Sequence, residues 1–168
     1  MSVRVRHLAP ADRERWIEMR AALWPEESRA DIVASADDFL SGRPGLTEAV
    51  LVAEDESGLI GFAELSRRAY AEGCSASPVA FLEGWYVEPA SQRRGVGRAL
   101  VAAAEAWALS LGCSEFASDT QYDNELGARA HEGVGFVEVE RLRCFTKRIG
   151  SQDSQLSELP AELNSGRP

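Results

Sequence analysis

Residues 81–107 read FLEGWYVEPASQRRGVGRALVAAAEAW, and they predict a strand, a loop and a helix in succession. The first part, Phe81 to Val87, is apolar and aromatic, as expected of a buried strand. The segment from Glu88 to Arg94 is polar and contains Pro89, which predicts a turn. From Gly95 onward the sequence is rich in alanine, and its larger apolar side chains recur on one helical face. The rest of the fold is predicted around this unit.

The junction between the loop and the helix, Arg93-Arg94-Gly95-Val96-Gly97, has the properties of an anion site. The first turn of a helix offers unpaired backbone N–H groups and the positive end of the helix dipole. The two glycines remove side chains that would hold a phosphate away, and the arginines, including Arg98, add positive charge. A Gly-x-Gly pair alone is also typical of a flexible surface loop. The preceding strand, the arginines and the following helix favour a site for a pyrophosphate-bearing cofactor.

Composition limits the class of protein and its partners. A chain of 168 residues is long enough for one domain with a core, and it has neither a membrane-spanning apolar run nor a signal peptide. Cys74, Cys113 and Cys144 are widely spaced and match no disulfide or metal-ligand pattern, so we expect a reduced, cytoplasmic protein without a metal. The formal net charge of −9 disfavours nucleic acid and is compatible with a cationic substrate.

Hydrophobic periodicity predicts further elements on both sides of this unit. The predicted strands are Val3–His7, Ala49–Glu54, Leu59–Ser66, Phe81–Val87, Ser114–Ser118 and Phe136–Ile149. The predicted helices are Ala11–Leu23, Ser28–Ser41, Gly95–Leu111 and Asn124–Val134. From Gly150 the chain is polar and rich in serine, which predicts a disordered tail. We therefore expect one domain over residues 1–149 and a tail over residues 150–168.

The motif from Gln92 to Gly97 resembles the acetyl-CoA signature of the GNAT superfamily, Gln/Arg-x-x-Gly-x-Gly/Ala. It differs from the Walker phosphate loop, because no Gly-Lys-Ser/Thr follows, and from the dinucleotide fingerprint, because the third glycine and distal acid are missing. The order of the predicted elements is also that of the superfamily. This resemblance implies an α/β fold with a mixed parallel and antiparallel sheet, flanked by helices, whose two central parallel strands splay to admit acetyl-CoA.

The same resemblance implies which residues bind acetyl-CoA. In the superfamily the pantetheine arm runs beside the strand that precedes the signature, which gives this role to backbone groups of Trp85, Tyr86 and Val87. The phosphates would bind the helix mouth, and Asn124 would contact the cofactor while also capping its own helix. The implied phosphate-binding residues are Arg93, Arg94, Gly95, Val96, Gly97 and Arg98. Gly127 stands where a serine is usual, a departure that predicts weaker cofactor contacts there.

Other stretches resemble one branch of the superfamily, the aminoglycoside 6′-N-acetyltransferases, between Val3 and about Ile149. They are Leu23-Trp24-Pro25, Tyr70 with Ser77-Pro78-Val79, Phe81–Val87, Glu115–Asp119, and His131 with Gly135-Phe136, Glu138 and Glu140. An aminoglycoside is a polycation covered with hydroxyls, so its pocket needs carboxylates and aromatic faces. The resemblance implies that the drug contacts Trp24, Tyr70, Glu83, Asp119 and Glu140. It also implies a homodimer formed through the C-terminal region.

Each of these residues also has an ordinary structural interpretation. Trp24 could belong to the core, Tyr70 could be a half-buried loop ring, Asp119 could stabilise a turn, and Glu140 could face solvent. Glu83 is harder to explain in this way, because a carboxylate inside an apolar strand is costly unless it is paired or faces a cavity. The period of two predicts that Glu83 shares a strand face with Phe81, Trp85 and Val87. For His131, packing or surface exposure is favoured over catalysis.

The predicted mechanism is direct transfer from the thioester to an amine within a ternary complex. Asp119 or Glu83 would remove the proton of the ammonium, directly or through water, and a backbone N–H near Tyr86 or Val87 would polarise the thioester carbonyl. Cys144 stands where a tyrosine is expected, so no general acid is assigned. Two alternatives remain open: acetylation of a metabolic polyamine or amino sugar, and a non-catalytic acetyl-CoA-binding module, which only Gly127 and Cys144 support.

Overall fold

The computed structural model of the protein describes residues 3–149. The strands are β1 Arg4–His7, β2 Ala49–Asp55, β3 Gly58–Arg68, β4 Val79–Val87 and β5 Phe116–Ser118. The helices are α1 Arg13–Leu23, α2 Arg29–Leu40, α3 Val96–Ser110 and α4 Glu125–Gly133. All of these were predicted from the sequence to within a few residues at each end. The predicted disordered tail lies outside the described residues. Across residues 3–149, no helix has both the length and the apolar character needed to cross a bilayer.

The five strands form one mixed sheet in the order β1-β2-β3-β4-β5. All neighbours are antiparallel except β4 and β5, which are parallel. Their pairing covers only Ala80–Leu82 against Phe116–Ser118, although β4 continues to Val87. Within residues 3–149, the second half of β4 therefore has no strand neighbour on its β5 side. The predicted mixed sheet and the splay of its central parallel strands are both confirmed.

Helices cover both faces of the sheet. On one face α3 packs Leu100, Val101 and Ala104 against strand residues such as Leu51 and Ala63. On the other face α1 and α2 contribute a second core, formed by Trp16, Ile17, Met19, Ile32 and Ala36 together with strand residues such as Val52 and Phe62. Burial of these two apolar faces positions the strands whose ends form the site.

A β-bulge in β4 overturns the predicted orientation of Glu83. Glu64 of β3 pairs with Gly84, whereas Leu65 pairs with Leu82, so Glu83 is an extra residue in β4. The extra residue interrupts the period of two. Glu83 contacts Ser66 on the α1–α2 face, while Trp85 packs in the α3 core. The prediction that Glu83 shares a face with Trp85 and Val87 is therefore wrong.

The predicted strand Phe136–Ile149 is also wrong, since no strand forms within it. Phe136 packs against the α3 core, but the apolar side chains that follow it are exposed. The most exposed of them are Val137 at 79%, Phe145 at 92% and Ile149 at 91%. Alternating apolar residues favour an extended conformation, but a strand also requires a hydrogen-bonded neighbour, which this segment lacks among residues 3–149.

Candidate functional site

The N-terminus of α3 has the backbone geometry expected of an anion site. Gly95 is the N-cap residue with φ of 83°, a left-handed conformation that favours glycine, and Arg93 has φ of 58°. Gly97 is required for a different reason: a Cβ there would lie 2.7 Å from Cζ2 of Trp85. The two glycines of the motif therefore shape the turn and allow the first turn of α3 to lie against β4.

The arginines of the motif lie at the surface beside this helix terminus. Arg93 and Arg98 are exposed, and Nη2 of Arg98 donates to the carbonyl oxygen of Gly133 at 2.8 Å. Nη2 of Arg94 lies 3.6 Å from Oδ2 of Asp55. Positive charge is thus held next to unpaired helix N–H groups, an arrangement that suits a phosphate.

The second half of β4 presents a free backbone edge next to this anion site. Its other edge is bonded to β3, where Tyr86 pairs with Phe62 and Val87 with Gly61. On the free side, the carbonyl oxygen of Val87 accepts from Nε2 of Gln92 at 3.2 Å. Backbone groups on an unpaired strand edge are available to hydrogen-bond a ligand. This edge, Glu83–Val87, is the feature that the predicted pantetheine contacts require.

Asn124 caps α4, as the sequence predicts. Its Oδ1 accepts from the backbone N–H of Gly127 at 2.9 Å, and its Nδ2 donates to Oγ1 of Thr120 at 2.9 Å. A Cβ at position 127 would lie 2.5 Å from Nδ2 of Asn124. The glycine at this position therefore has a local structural reason, because it leaves room for the cap.

His131 is half-buried and connects α4 to the end of β5. Its Nδ1 lies 2.7 Å from the carbonyl oxygen of Gly127, and its Nε2 lies 2.9 Å from Oγ of Ser118. Because a carbonyl only accepts, we assign a ring proton to Nδ1, while Oγ of Ser118 lies between Nε2 and the carbonyl oxygen of Leu82, which is 3.2 Å away. The ring also packs edge-on against Trp85 and Phe136. These contacts agree with the packing role that the sequence favours for His131.

A cavity of about 390 Å³ lies on the opposite face of the sheet, between β3, β4, α1, α2 and the loop that follows α2. Two of the predicted substrate residues, Trp24 and Glu83, line it. The remaining lining residues are Trp16, Arg20, Glu27, Ser35, Asp38, Phe39, Arg43, Pro44, Gly45, Leu46, Thr47 and Glu64. The cavity therefore has aromatic walls and carboxylates, as a multiply charged amine requires.

Trp24 belongs both to the core and to the wall of this cavity. Its ring lies against Gly84, where a Cβ would be 2.6 Å from Cη2 of the indole. On another side, the guanidinium of Arg20 lies 5.2 Å from the ring centroid. These contacts fix the orientation of Trp24 and agree with the core interpretation, and its place in the cavity lining leaves the substrate contact a prediction.

Glu83 is held by a polar network that the sequence analysis missed. Its side chain is only 9% exposed and accepts a hydrogen bond from Ser66. Nε and Nη2 of Arg68 donate to its two oxygens at 3.0 and 2.6 Å, and the guanidinium lies over the ring of Phe81. The hydrogen bond to Glu83 raises the pKa of Arg68. The sequence does contain a signal for this network, because polar residues stand at alternate positions of β3, namely Glu64, Ser66 and Arg68.

Glu64 is a second acid that the sequence analysis missed. It is 2% exposed, and Nε of Arg20 lies 2.8 Å from its Oε1. Nε1 of Trp16 donates to the same oxygen at 3.1 Å, while Oγ1 of Thr47 lies 3.4 Å from Oε2. Burial raises the pKa of Glu64 to about 7, although Arg20 acts in the opposite direction.

The other predicted substrate residues lie outside the cavity lining. Asp119 is exposed just after β5, and its charge raises the pKa of Arg68, which places it in the electrostatic neighbourhood of Glu83. Tyr70 is 66% exposed in the loop after β3. Glu140 is exposed in the segment that follows α4, where the preceding Val139 lies close to Gly73 of the loop that carries Tyr70.

The cysteines take no part in this arrangement. Cys74, Cys113 and Cys144 are free thiols. Within the part of the chain that the structure describes, histidine, cysteine and acidic side chains form no group of three or more that could hold a metal ion.

Comparison with known proteins assigns this arrangement to a family. The sequence profile described as "Acetyltransferase (GNAT) family" matches residues 13–136. An aminoglycoside N(6′)-acetyltransferase type 1 of Klebsiella aerogenes is 49% identical over 146 residues, which cover 86% of this chain and 96% of that protein. A protein of the same name from Stenotrophomonas maltophilia is 40% identical over 142 residues, 84% of this chain and 90% of that protein.

Solved structures of similar proteins have the same fold. AAC(6′)-Iy in complex with the bisubstrate analogue CoA-S-monomethyl-acetylneamine superposes with a TM-score of 0.81 at 35% identity, covering 89% of this chain and 100% of that one. The apo aminoglycoside 6′-N-acetyltransferase AAC(6′)-IG from Acinetobacter haemolyticus also gives 0.81 at 35% identity, covering 88% and 99%.

Proposed function

Because the chain belongs to the acetyltransferase (GNAT) family, we propose that it transfers an acetyl group from acetyl-CoA to the 6′-amino group of aminoglycosides. The predicted family is confirmed, and relatives at 49% and 40% identity carry the name of this activity. Acetyl-CoA is the co-substrate. Modification of the drug would make the enzyme an antibiotic-resistance determinant.

The observation that carries the proposal is the free edge of β4. At one end it adjoins the anion site at the start of α3, and at the other Glu83 faces the cavity that Trp24 also lines. A cofactor bound along Trp85–Val87 would therefore meet a substrate in the cavity at the gap between β4 and β5. This arrangement supports direct transfer in a ternary complex, since both ligands approach one gap from opposite faces of the sheet.

In the proposed reaction the 6′-amine nitrogen attacks the thioester carbonyl carbon, the C–S bond breaks, and the CoA thiolate leaves. A backbone N–H near Tyr86 or Val87, on the free side of β4, would stabilise the developing oxyanion. Of the two predicted bases, we favour Asp119, because both oxygens of Glu83 already accept hydrogen bonds from Arg68. Asp119 is exposed and has no hydrogen-bond partner within residues 3–149, so it can take the ammonium proton directly or through water. Water would carry the second proton of the attacking nitrogen to the thiolate.

We assign Trp24, Tyr70, Glu83 and Glu140 to substrate binding, with Glu83 fixing an amine and Trp24 supporting a sugar face. The buried position of Glu83 and the fixed ring of Trp24 support their roles, since a preorganised site binds with less entropic cost. For Tyr70 and Glu140, the support is the resemblance alone.

We also propose that the protein is a homodimer and acts in the cytoplasm. The exposed apolar side chains between residues 137 and 149 support an interface with a second copy, because large exposed apolar patches mark interaction sites. The three free thiols support a reducing compartment.

The test is release of free CoA thiol in the presence of acetyl-CoA and a panel of amines. The panel contains kanamycin B, its counterpart with a 6′-hydroxyl in place of the amine, polyamines and simple amino sugars. We expect rapid turnover of kanamycin B and none of the 6′-hydroxy compound. Faster turnover of a polyamine or amino sugar would make the drug a secondary substrate, and bound acetyl-CoA without any turnover would contradict an enzymatic role.

A further inference from the structure

The inner wall of the cavity carries a carboxylate whose hydrogen-bonding capacity is only partly used. Two nitrogens approach Oε1 of Glu64: Nε of Arg20 lies 2.8 Å away in an ion pair, and Nε1 of Trp16 donates a hydrogen bond at 3.1 Å. Within residues 3–149, the one donor to its Oε2 is Oγ1 of Thr47, at the long distance of 3.4 Å. A carboxylate oxygen can accept two hydrogen bonds, and Glu64 and Thr47 both line the cavity. Oε2 is therefore a buried acceptor that a ligand in the cavity can satisfy.

The charge around Glu64 determines what kind of group it can accept. Arg20 lies within ion-pair distance and is itself buried, so the pair carries no net charge whenever Glu64 is ionised. A second cation beside Oε2 would be repelled by Arg20 in a poorly solvated environment. A neutral donor such as a hydroxyl would not. Glu64 is thus suited to a sugar hydroxyl, whereas the Arg68 partner of Glu83 is 34% exposed, so water screens its charge from an ammonium beside Glu83.

The register of β3 and β4 places this acceptor next to Glu83. Glu64 pairs with Gly84, the residue that follows Glu83, and both acids face the cavity. Residues opposite each other in an antiparallel pair are separated by about 5 Å, which is the scale of one sugar ring. If Glu83 binds near a ring's amino group, Glu64 is within reach of a hydroxyl on that same ring.

We propose that Glu64 and Thr47 form a hydroxyl-binding subsite for the sugar ring that carries the reactive amine. On a 6′-amino sugar, the hydroxyls nearest to the amine along the ring are those at positions 4′ and 3′. The inference rests on the proposed aminoglycoside activity and adds a determinant of which rings are accepted. Arg20 is a positioning residue in this subsite, since it orients the Glu64 carboxylate and contacts Trp24.

The test compares kanamycin B with its 3′,4′-dideoxy derivative in the full-length protein. For the wild type, we expect kcat/KM to be about tenfold lower for the dideoxy compound, the size expected for loss of one hydrogen bond to a charged group. Replacing the buried pair by Arg20→Met with Glu64→Met removes the acceptor and leaves no unpaired charge in the core. This double variant should show the same kcat/KM for both drugs.

The matched control replaces the neighbouring exposed ion pair outside the cavity, Arg67→Met with Glu48→Met, and should keep the tenfold preference. General damage to the fold or to Trp24 lowers both rates together and leaves their ratio unchanged. Equal rates for the two drugs in the wild type, or a preference that survives in the Arg20/Glu64 variant, would overturn the subsite. Failure of kanamycin B itself as a substrate would instead overturn the proposed function.

Discussion

The two acids proposed for proton transfer differ in how many partners they already have. Glu83 accepts hydrogen bonds from Ser66 and from two nitrogens of Arg68, so its lone pairs are largely used. Asp119 lies at the surface after β5 with its oxygens open to water. A general base must reach a proton and release it again, which an acid held by an arginine does poorly.

Replacing Asp119 by Asn should therefore lower kcat by about a hundredfold, the lower end of the range for loss of a general base. The remaining activity should rise with pH, because hydroxide or free amine replaces the lost base. Acetyl-CoA affinity, measured by calorimetry, should stay at the wild-type value. If the Asp119→Asn enzyme keeps the wild-type kcat, Asp119 is not the general base, and Glu83 becomes the candidate instead.

Glu64 should also make the stability of the protein depend on pH. Its pKa is about 7 in the folded protein and near 4.5 when unfolded, because burial disfavours the charged form. Below pH 4.5 both states carry the proton, and as pH rises toward 7 only the unfolded state releases it. The free energy of unfolding should thus fall by up to about 3 kcal/mol between pH 4.5 and 8.

Urea unfolding of the wild type and of Glu64→Gln at several pH values isolates this effect, since all other titrating groups are common to both proteins. The wild type should lose stability relative to the variant as pH rises through 7. Parallel stability curves for the two proteins would mean that Arg20 keeps Glu64 ionised throughout this range.

Among the elements, the pair formed by β4 and α3 depends on one close contact. Trp85 lies so near the first turn of α3 that a Cβ on Gly97 would be 2.7 Å from its ring. Gly97→Ala should push the indole or the helix away, and forced packing of this kind costs about 1–3 kcal/mol. The same shift would move the helix N–H groups away from a bound phosphate, so acetyl-CoA affinity should fall as well.

Gly133→Ala is the matched control, because Gly133 lies in α4 with no atom within 4 Å of an added Cβ. It should leave acetyl-CoA affinity unchanged and stability equal or slightly higher, since alanine favours helix by up to about 1 kcal/mol. Thermal unfolding and calorimetric titration with acetyl-CoA measure both quantities. Equal behaviour of the two alanine variants would show that the Trp85 contact does not position the helix.

How far the sequence predicts an element depends on whether its signal is local. The unit β4–loop–α3 was predicted because apolar runs, proline and glycines mark it directly. The bulge at Glu83 was missed, since its cause is the register with β3, and no pattern within β4 encodes that register. The same distinction between local and non-local signals applies to the site residues. Glu83 was found as a charge in an apolar strand, whereas Arg68 and Glu64 matter through side chains on other elements.

At the scale of the whole molecule, residues 137–149 have no strand neighbour within the described range, residues 3–149. The alternation of Val137 and Val139 favours a strand, and the segment's apolar side chains are exposed. Glu140 lies within it and is not among the residues that line the cavity. A second copy that covers this segment would bury its apolar side chains and supply the strand neighbour that it lacks. Any contact between Glu140 and a substrate would then be a property of the dimer.

Light scattering on the full-length protein should therefore give a mass of two 18.3 kDa chains. Phe145→Asp should reduce the mass to that of one chain, because Phe145 is 92% exposed in the single chain and a charge there opposes an apolar interface. Leu109→Asp is the control: Leu109 is also apolar and 70% exposed, but it lies on α3 outside the segment, so the dimer should persist.

If dimerisation places Glu140, KM for kanamycin B should rise only in the Phe145 variant. A monomeric wild type with full activity would contradict both the dimer and the role of Glu140 that depends on it.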